Sequence, residues 1–239
     1  MDATGCSAEE AADQAAAMNK LGAAYYITAQ GVPFIHAGEE MLRSKPDAGQ
    51  EVGFNHNSYN AGDEINAIRW NKLEEELVAS AHAYYQGLIA FRAAHPAMRL
   101  TTKADVSAAM TELETYNNNV VAYINNGAGL EDAIISIFNA DSVAATVELP
   151  EGKWAVCVNK TTAGTEALAI VEGTVEVEAT SAMLLVAADP NAVVQEPTQA
   201  PSVEEPAGET SNPVPVLIIA AIAVVALIGV AAFFKKKEH

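Results

Sequence analysis

Cysteine is nearly missing from this chain, with only Cys6 and Cys157 among 239 residues. The two fall in different predicted segments, which excludes a disulfide framework and leaves no expectation of a single bridge. Cys157 sits between Val156 and Val158 in a strand-like run, so it reads as a buried thiol acting as a small hydrophobe. Positive charge is scarce as well: 13 Lys and Arg stand against 31 Asp and Glu, a formal net charge of −18. Nucleic acid is thereby excluded as a partner, because its phosphates demand stripes of Lys and Arg. His36 has no second His or Cys at ligand spacing, so it reads as structural, and no metal or cofactor is expected. The opening residues, MDATGCSAEEAADQAAAM, have neither a basic n-region nor an apolar h-region, so no export signal is read there.

Apolar residues are plentiful. They make up 50% of the chain, enough for a core in one or two modest domains. An uncharged run of 21 residues covers 214–234, between Pro213 and Lys235. As a helix it would extend roughly 31 Å, the thickness of a bilayer's hydrocarbon core. It has no polar face, and it follows a stretch rich in Pro, Glu, Thr and Ser (189–212) that reads as a disordered tether. A single transmembrane helix over 213–234 is therefore expected. Lys235, Lys236 and Lys237 flank one end, and Glu204, Glu205 and Glu209 precede the other. The positive-inside rule then places the body outside the cell and the tail, 235–239, in the cytoplasm. This layout resembles Gram-positive surface-protein anchors, although no LPxTG stands before the helix. An outward-facing body without an export signal suggests the tail of a longer polypeptide.

Before that tether the hydrophobic period changes once. Residues 8–29 predict a helix: Ser7 can cap it with Glu10 completing a capping box, and Met18, Leu21 and Tyr25 suggest its apolar face. Gly31 is expected to end it, and 32–36 to form a short buried strand. A long loop follows to about residue 70, longer than an ordinary connection and so a functional candidate. Helical period returns over 73–94, with Leu77, Ala81, Tyr84, Leu88 and Phe91 on one side, until His95-Pro96 stop it. From 100 to 188 the period is two. Strands are predicted at 120–124, 133–138, 145–149, 153–158, 174–178 and 182–187, which suggests an antiparallel β-sandwich. Tyr116, Tyr123 and Trp154 are scattered through it and read as core rather than as a carbohydrate-binding face.

The segment from Tyr26 to Trp70 carries the functional signal. It reads YITAQGVPFIHAGEEMLRSK, a spacer, and then HNSYNAGDEINAIRW. A buried strand that delivers a polar, aromatic-bearing loop is how α/β barrels build ligand sites. Amides, carboxylates and rings of this kind suit sugar hydroxyls and pyranose faces. The runs QGVPFIHAGEE, LRSK and NSYN-x-x-D-x-x-N-x-x-x-W closely resemble the end of the catalytic barrel of type I pullulanases, debranching enzymes of the α-amylase superfamily. The resemblance covers about 8–188. It implies an α/β plus all-β fold: the last strand and helices of a (β/α)8 barrel over 1–97, then a β-sandwich over 98–188. It also implies α-glucan partners (pullulan, starch, glycogen) and a parent enzyme that cleaves α-1,6-glucosidic bonds.

Glycosidases of this type need two carboxyl groups flanking the scissile bond. Glu39 and Glu40 are adjacent and point in opposite directions on an extended segment, so they are not expected to be that pair. The resemblance agrees, since it implies that all three catalytic carboxylates lie on earlier barrel strands, and the His-Asp motif it leads one to expect is missing from residues 1–20. No catalytic residue is therefore assigned, and this chain alone is expected to be inactive. The resemblance also implies that Arg43, Asn57, Ser58, Tyr59, Asn60 and Asp63 shape glucose subsites. Alternatively, Asn57 and Asn60 only organise turns. Asn66 and Trp70 are expected to anchor the loop to the barrel. Competing readings are a non-catalytic, glucan-presenting surface module and an isoamylase-like enzyme, the latter opposed by the NSYN-x-x-D segment.

Overall fold

The computed structural model describes residues 7–195. Helix α1 (Ala8–Thr28) opens with the expected capping box: Ser7 Oγ accepts the Glu10 N–H at 3.1 Å, and the Glu10 carboxylate accepts the Ser7 N–H at 2.7 Å. Its buried face differs from the expectation. Ala16, Lys20, Ala23, Ala24, Ile27 and Thr28 are buried, whereas Met18 and Tyr25 are exposed. Alanines let the helix axis approach its neighbour closely, and the bulky side chains go to the flanks, where Tyr25 meets Phe138 edge-on at 5.1 Å. The helix also stops at Thr28, short of Gly31.

The strand expected over 32–36 is not formed, and its apolar residues are not buried. This stretch is extended but unpaired, with Val32 98% and Phe34 84% exposed. A parallel strand takes its hydrogen bonds from neighbours on its edges, and among the described residues none runs beside this one. The loop that follows carries a one-turn helix, α2 (Asp63–Asn66). Helix α3 (Glu76–Ala94) then buries Ala81, Tyr84, Leu88 and Phe91 as expected, together with Val78, Tyr85 and Arg92, and ends at His95. A short helix, α4 (Lys103–Ala109), takes the place of the period-two region expected from residue 100; Thr102 caps it by accepting the Asp105 N–H at 3.1 Å.

Eight antiparallel strands follow: β1 (Met110–Leu113), β2 (Val120–Asn125), β3 (Ile134–Asn139), β4 (Ala145–Glu148), β5 (Trp154–Val158), β6 (Ala169–Val171), β7 (Thr174–Val177) and β8 (Ser181–Ala187). Six of them sit where the alternation placed them. The other two, β1 and β6, are the edges of a six-stranded sheet ordered β1-β2-β3-β8-β5-β6. Strands β4 and β7 pair separately. On one sheet face Ile134, Phe138, Val158 and Leu184 pack with Ile27, Tyr84, Leu88 and Phe91 of the helices. On the other, Ile135, Ile137, Trp154 and Leu185 pack with Val147, Val175 and Val177 of the small sheet. Strand β3 is covered on both sides, so all six of its residues are buried, Ser136 and Asn139 included, rather than alternating. Cys157 is buried as expected, and burial, with the charge of Glu166, pushes its thiol up to about 11. Tyr116, expected in the core, is exposed at a turn with φ 52°.

The start of the expected tether is not free. The Gln195 N–H donates to Ile170 O at 2.8 Å on the open edge of β6, and Lys153 Nζ, just before β5, donates to Ala192 O. Edge strands have unpaired backbone groups, and a following segment can satisfy them. Among the described residues no helix is long and apolar enough to cross a membrane. The remainder of the expected tether, the apolar run at 213–234 and the basic tail at 235–239 lie outside the described residues.

Candidate functional site

The loop from 36 to 70 is built around two side chains, Arg43 and Asn66. A tight turn at Glu39–Met41 is entered through Gly38 at φ 95° and left through Leu42 at φ 51°. Gly38 is needed for its space as well as its backbone, because a Cβ there would overlap the Arg43 side chain. Arg43 Nη1 donates to Ala37 O at 2.8 Å, and Nη2 donates to Asn66 O. Asn66 Nδ2 in turn donates to Ser58 O at 2.7 Å and Ala61 O at 2.9 Å, while its Oδ1 accepts the Ser58 hydroxyl at 3.0 Å. Lys45 Nζ donates to the same hydroxyl at 2.7 Å. The intervening excursion closes on itself through the Pro46–Phe54 bridge and through Asp47, which accepts from Gly49 N–H and Asn55 Nδ2. A loop this polar has no core of its own, and these bonds replace one.

Glu39 and Glu40 are both committed to local roles. Glu39 Oε1 accepts the Tyr26 hydroxyl of α1, and Glu40 Oε2 accepts the Gly38 N–H at 2.9 Å. Burial first, and then the Glu39 carboxylate and Tyr85, push the Tyr26 phenol well above its usual range, so it remains a donor. The two carboxylates thus accept from different groups, a side chain of α1 and the turn's own backbone, and they sit in a tight turn rather than on the extended segment expected from the sequence. His36 is exposed. Among the described residues no group of three or more His, Cys, Asp or Glu is placed to hold a metal ion.

The outer surface of the loop is different. Asn57, Tyr59, Asn60 and Asp63 are all exposed, with Tyr59 at 84%. Asp63 begins α2, whose last residue is the Asn66 that ties the loop down, so the exposed groups ride on fixed backbone. Ser58 is buried and Arg43 half-buried, its guanidinium turned onto main-chain carbonyls. Trp70, expected to anchor the loop, is 65% exposed and does not. The arrangement is a rigid rim of one ring, two amides and a carboxylate, suited to hydrogen-bonding hydroxyls and covering an apolar sugar face.

No protein-family model matches the chain. It is 38% identical over 104 residues to a pullulanase of Bacillus subtilis, covering 44% of this chain and 13% of that protein. To an isoamylase of Pseudomonas amyloderamosa it is 29% identical over 144 residues, covering 55% and 17%. Among solved structures it superposes on the pullulanase from Bacillus acidopullulyticus with a TM-score of 0.67 and 33% identity, over 77% of this chain and 21% of that one. The chain is a relative of the type I pullulanases. A second pullulanase, from Anoxybacillus and solved with maltotetraose bound, matches with a TM-score of 0.59 and 29% identity over 72% of this chain and 23% of that one. The chain thus spans between 13% and 23% of the length of these four proteins.

Asn66 was singled out by the motif, but as an anchor of the loop to the barrel, whereas its side chain ties the loop to itself through Ser58 and Ala61; the contributions of Lys45 and Tyr26 were not legible. Nothing local marks them; each finds its partner 13 residues away through the fold. Asn66→Ala removes three side-chain hydrogen bonds and is expected to cost about 2 kcal/mol, felt mainly within the loop. Hydrogen exchange checks this: amides of 58–66 should lose protection while those of β3 and β8 keep theirs.

Proposed function

We propose that this chain contributes the outer glucan-binding rim of a pullulanase whose parent hydrolyses α-1,6-glucosidic bonds by a retaining mechanism. In this reading 32–36 is the last strand of a (β/α)8 barrel, and the exposed Val32 and Phe34 mark where its parallel neighbours pack. The two helices that flank the stretch in sequence, α1 and α3, support this, because a strand between packed helices is the building block of parallel α/β sheets. Arg43, Asn57, Tyr59, Asn60 and Asp63 contribute subsites, with Arg43 also holding the loop's shape. The catalytic carboxylates lie elsewhere in the parent, and the chain by itself is inactive. The run at 213–234 anchors the body at the outer face of a membrane.

The carrying observation is the clamped loop that presents Tyr59 and Asp63 to solvent while consuming Glu39 and Glu40 internally. The matched isoamylase keeps a broader debranching specificity as the second reading. Titration of the full chain with maltotetraose, followed by NMR, should perturb Tyr59 and Asp63, and Tyr59→Ala should weaken binding by about tenfold, in line with the loss of an aromatic platform. Incubation with pullulan should release no maltotriose. Maltotriose release, or maltotetraose shifts that avoid the loop, would sink the proposal.

A further inference from the structure

A second concavity lies behind the loop, between the N-terminal half of α1, residues 41–44 and the segment leading into α3. Its volume is about 460 Å³, within the range of small-molecule sites. Its lining is out of character for the chain. Arg43, Arg69 and Lys72 contribute three cations against one carboxylate, Glu75, in a protein whose net charge is −18. Lys72 pairs with Glu75, but among the described residues no carboxylate lies within 4.0 Å of Arg43 or Arg69. Both guanidinium groups are nonetheless held in place by backbone carbonyls: Arg43 by Ala37 and Asn66, Arg69 by Glu64 at 2.7 Å. Each keeps further N–H donors uncommitted, since a guanidinium has five. Two guanidinium groups without a carboxylate, lining one cleft together with the Lys72 ammonium, match a doubly charged oxyanion, which arginine binds through paired N–H groups. Ala15 and Ile68 supply an apolar wall, and the volume exceeds what a bare oxyanion fills.

We infer that this cleft binds a small organic phosphomonoester, its phosphoryl group against Arg43, Arg69 and Lys72 and its carbon body on the Ala15–Ile68 wall. The inference shares Arg43 with the proposed glucan rim but uses none of Asn57, Tyr59, Asn60 or Asp63, so failure of one leaves the other to be read separately. Glucose 6-phosphate, inorganic phosphate and glucose serve as probes, titrated into the full chain by calorimetry and NMR. Glucose 6-phosphate should bind saturably, more tightly than inorganic phosphate, and more weakly as salt is raised, while glucose should not bind the cleft. The double variant Arg69→Gln/Lys72→Gln, at two exposed positions, should lose about tenfold in affinity. Glu75→Gln should tighten binding, because it removes the one opposing charge. Failure of glucose 6-phosphate to bind, affinity no greater than that of inorganic phosphate, or equal binding by the double variant would each overturn the assignment.

Discussion

Gly87→Ala is expected to destabilise the protein by about 3 kcal/mol, although alanine is the better helix former. Gly87 lies in the interior of α3, where an exposed glycine would cost about 1 kcal/mol relative to alanine. Here the backbone of the β5–β6 loop passes directly over the helix. A Cβ at Gly87 would overlap the carbonyl of Ala163 and come within 2.9 Å of the Ala163 Cβ. The obstacle is main chain, so no rotamer change relieves it. The loop is also held where it is: the Tyr84 hydroxyl donates to Asn159 O at 2.9 Å, and Asn159 N–H donates to Thr162 O at 2.9 Å. Relief requires separating α3 from the sheet, which opens the cluster containing Tyr84, Leu88, Phe91 and Val158. Gly22 provides the control. It lies within α1 with no neighbour within 4 Å of an added Cβ, so Gly22→Ala should stabilise by about 0.5–1 kcal/mol. Urea midpoints of the two variants should move in opposite directions. If both rise, the contact between α3 and the β5–β6 loop is not as close as described.

Such a contact shows where reading the sequence stops. The capping box at Ser7, the apolar side of α3 and six of the strands follow from local chemistry, because caps and periodicities lie within a few residues of each other. Strand β6 is only three residues long, and β1 is exposed at both of its central residues, so neither shows an alternation. The face of α1 was misread because Met18 and Tyr25 are its largest apolar residues near that side, whereas close packing there selects alanine. The stretch at 32–36 has the composition of a buried strand, but composition does not provide the neighbours that would pair it. For the candidate site, the motif named the exposed residues Asn57, Tyr59, Asn60 and Asp63. It did not show that Arg43 faces inward, because that depends on where the Ala37 and Asn66 carbonyls end up after the loop has folded.

The larger cost is expected at Arg92, which joins the helices to the start of the functional loop. Its side chain is buried, and burial, with the nearby charge of Arg99, lowers its tendency to hold a proton. It stays charged all the same, since guanidinium groups begin so far above neutrality. Nη1 donates to Ile27 O at 3.0 Å and Ala29 O at 2.7 Å, and Nη2 donates to Gly31 O at 2.6 Å. The Ile27 carbonyl is one that α1 leaves unsatisfied in its last turn, and those of Ala29 and Gly31 follow just beyond its end, so one residue of α3 holds the C-terminus of α1 and the chain leaving it. Arg92→Met keeps much of the volume and removes the buried charge, which by itself would help. It also removes three charge-assisted hydrogen bonds, leaving the buried Ile27 carbonyl without a partner and the part-buried Ala29 and Gly31 carbonyls without their guanidinium, at about 1–3 kcal/mol each. The second effect is larger, and a net loss of about 4 kcal/mol is expected. Arg92→Lys should fall between, since a single ammonium is a point donor and lacks the fork that spans diverging carbonyls. The order of urea midpoints should be wild type, then lysine, then methionine. Because 31–37 hangs from these carbonyls and leads into the Arg43 turn, the methionine variant should also lose hydrogen-exchange protection at 38–43 before global unfolding. A methionine variant as stable as wild type would show that the end of α1 is held by packing alone, leaving the rim around Tyr59 with no rigid connection to the core.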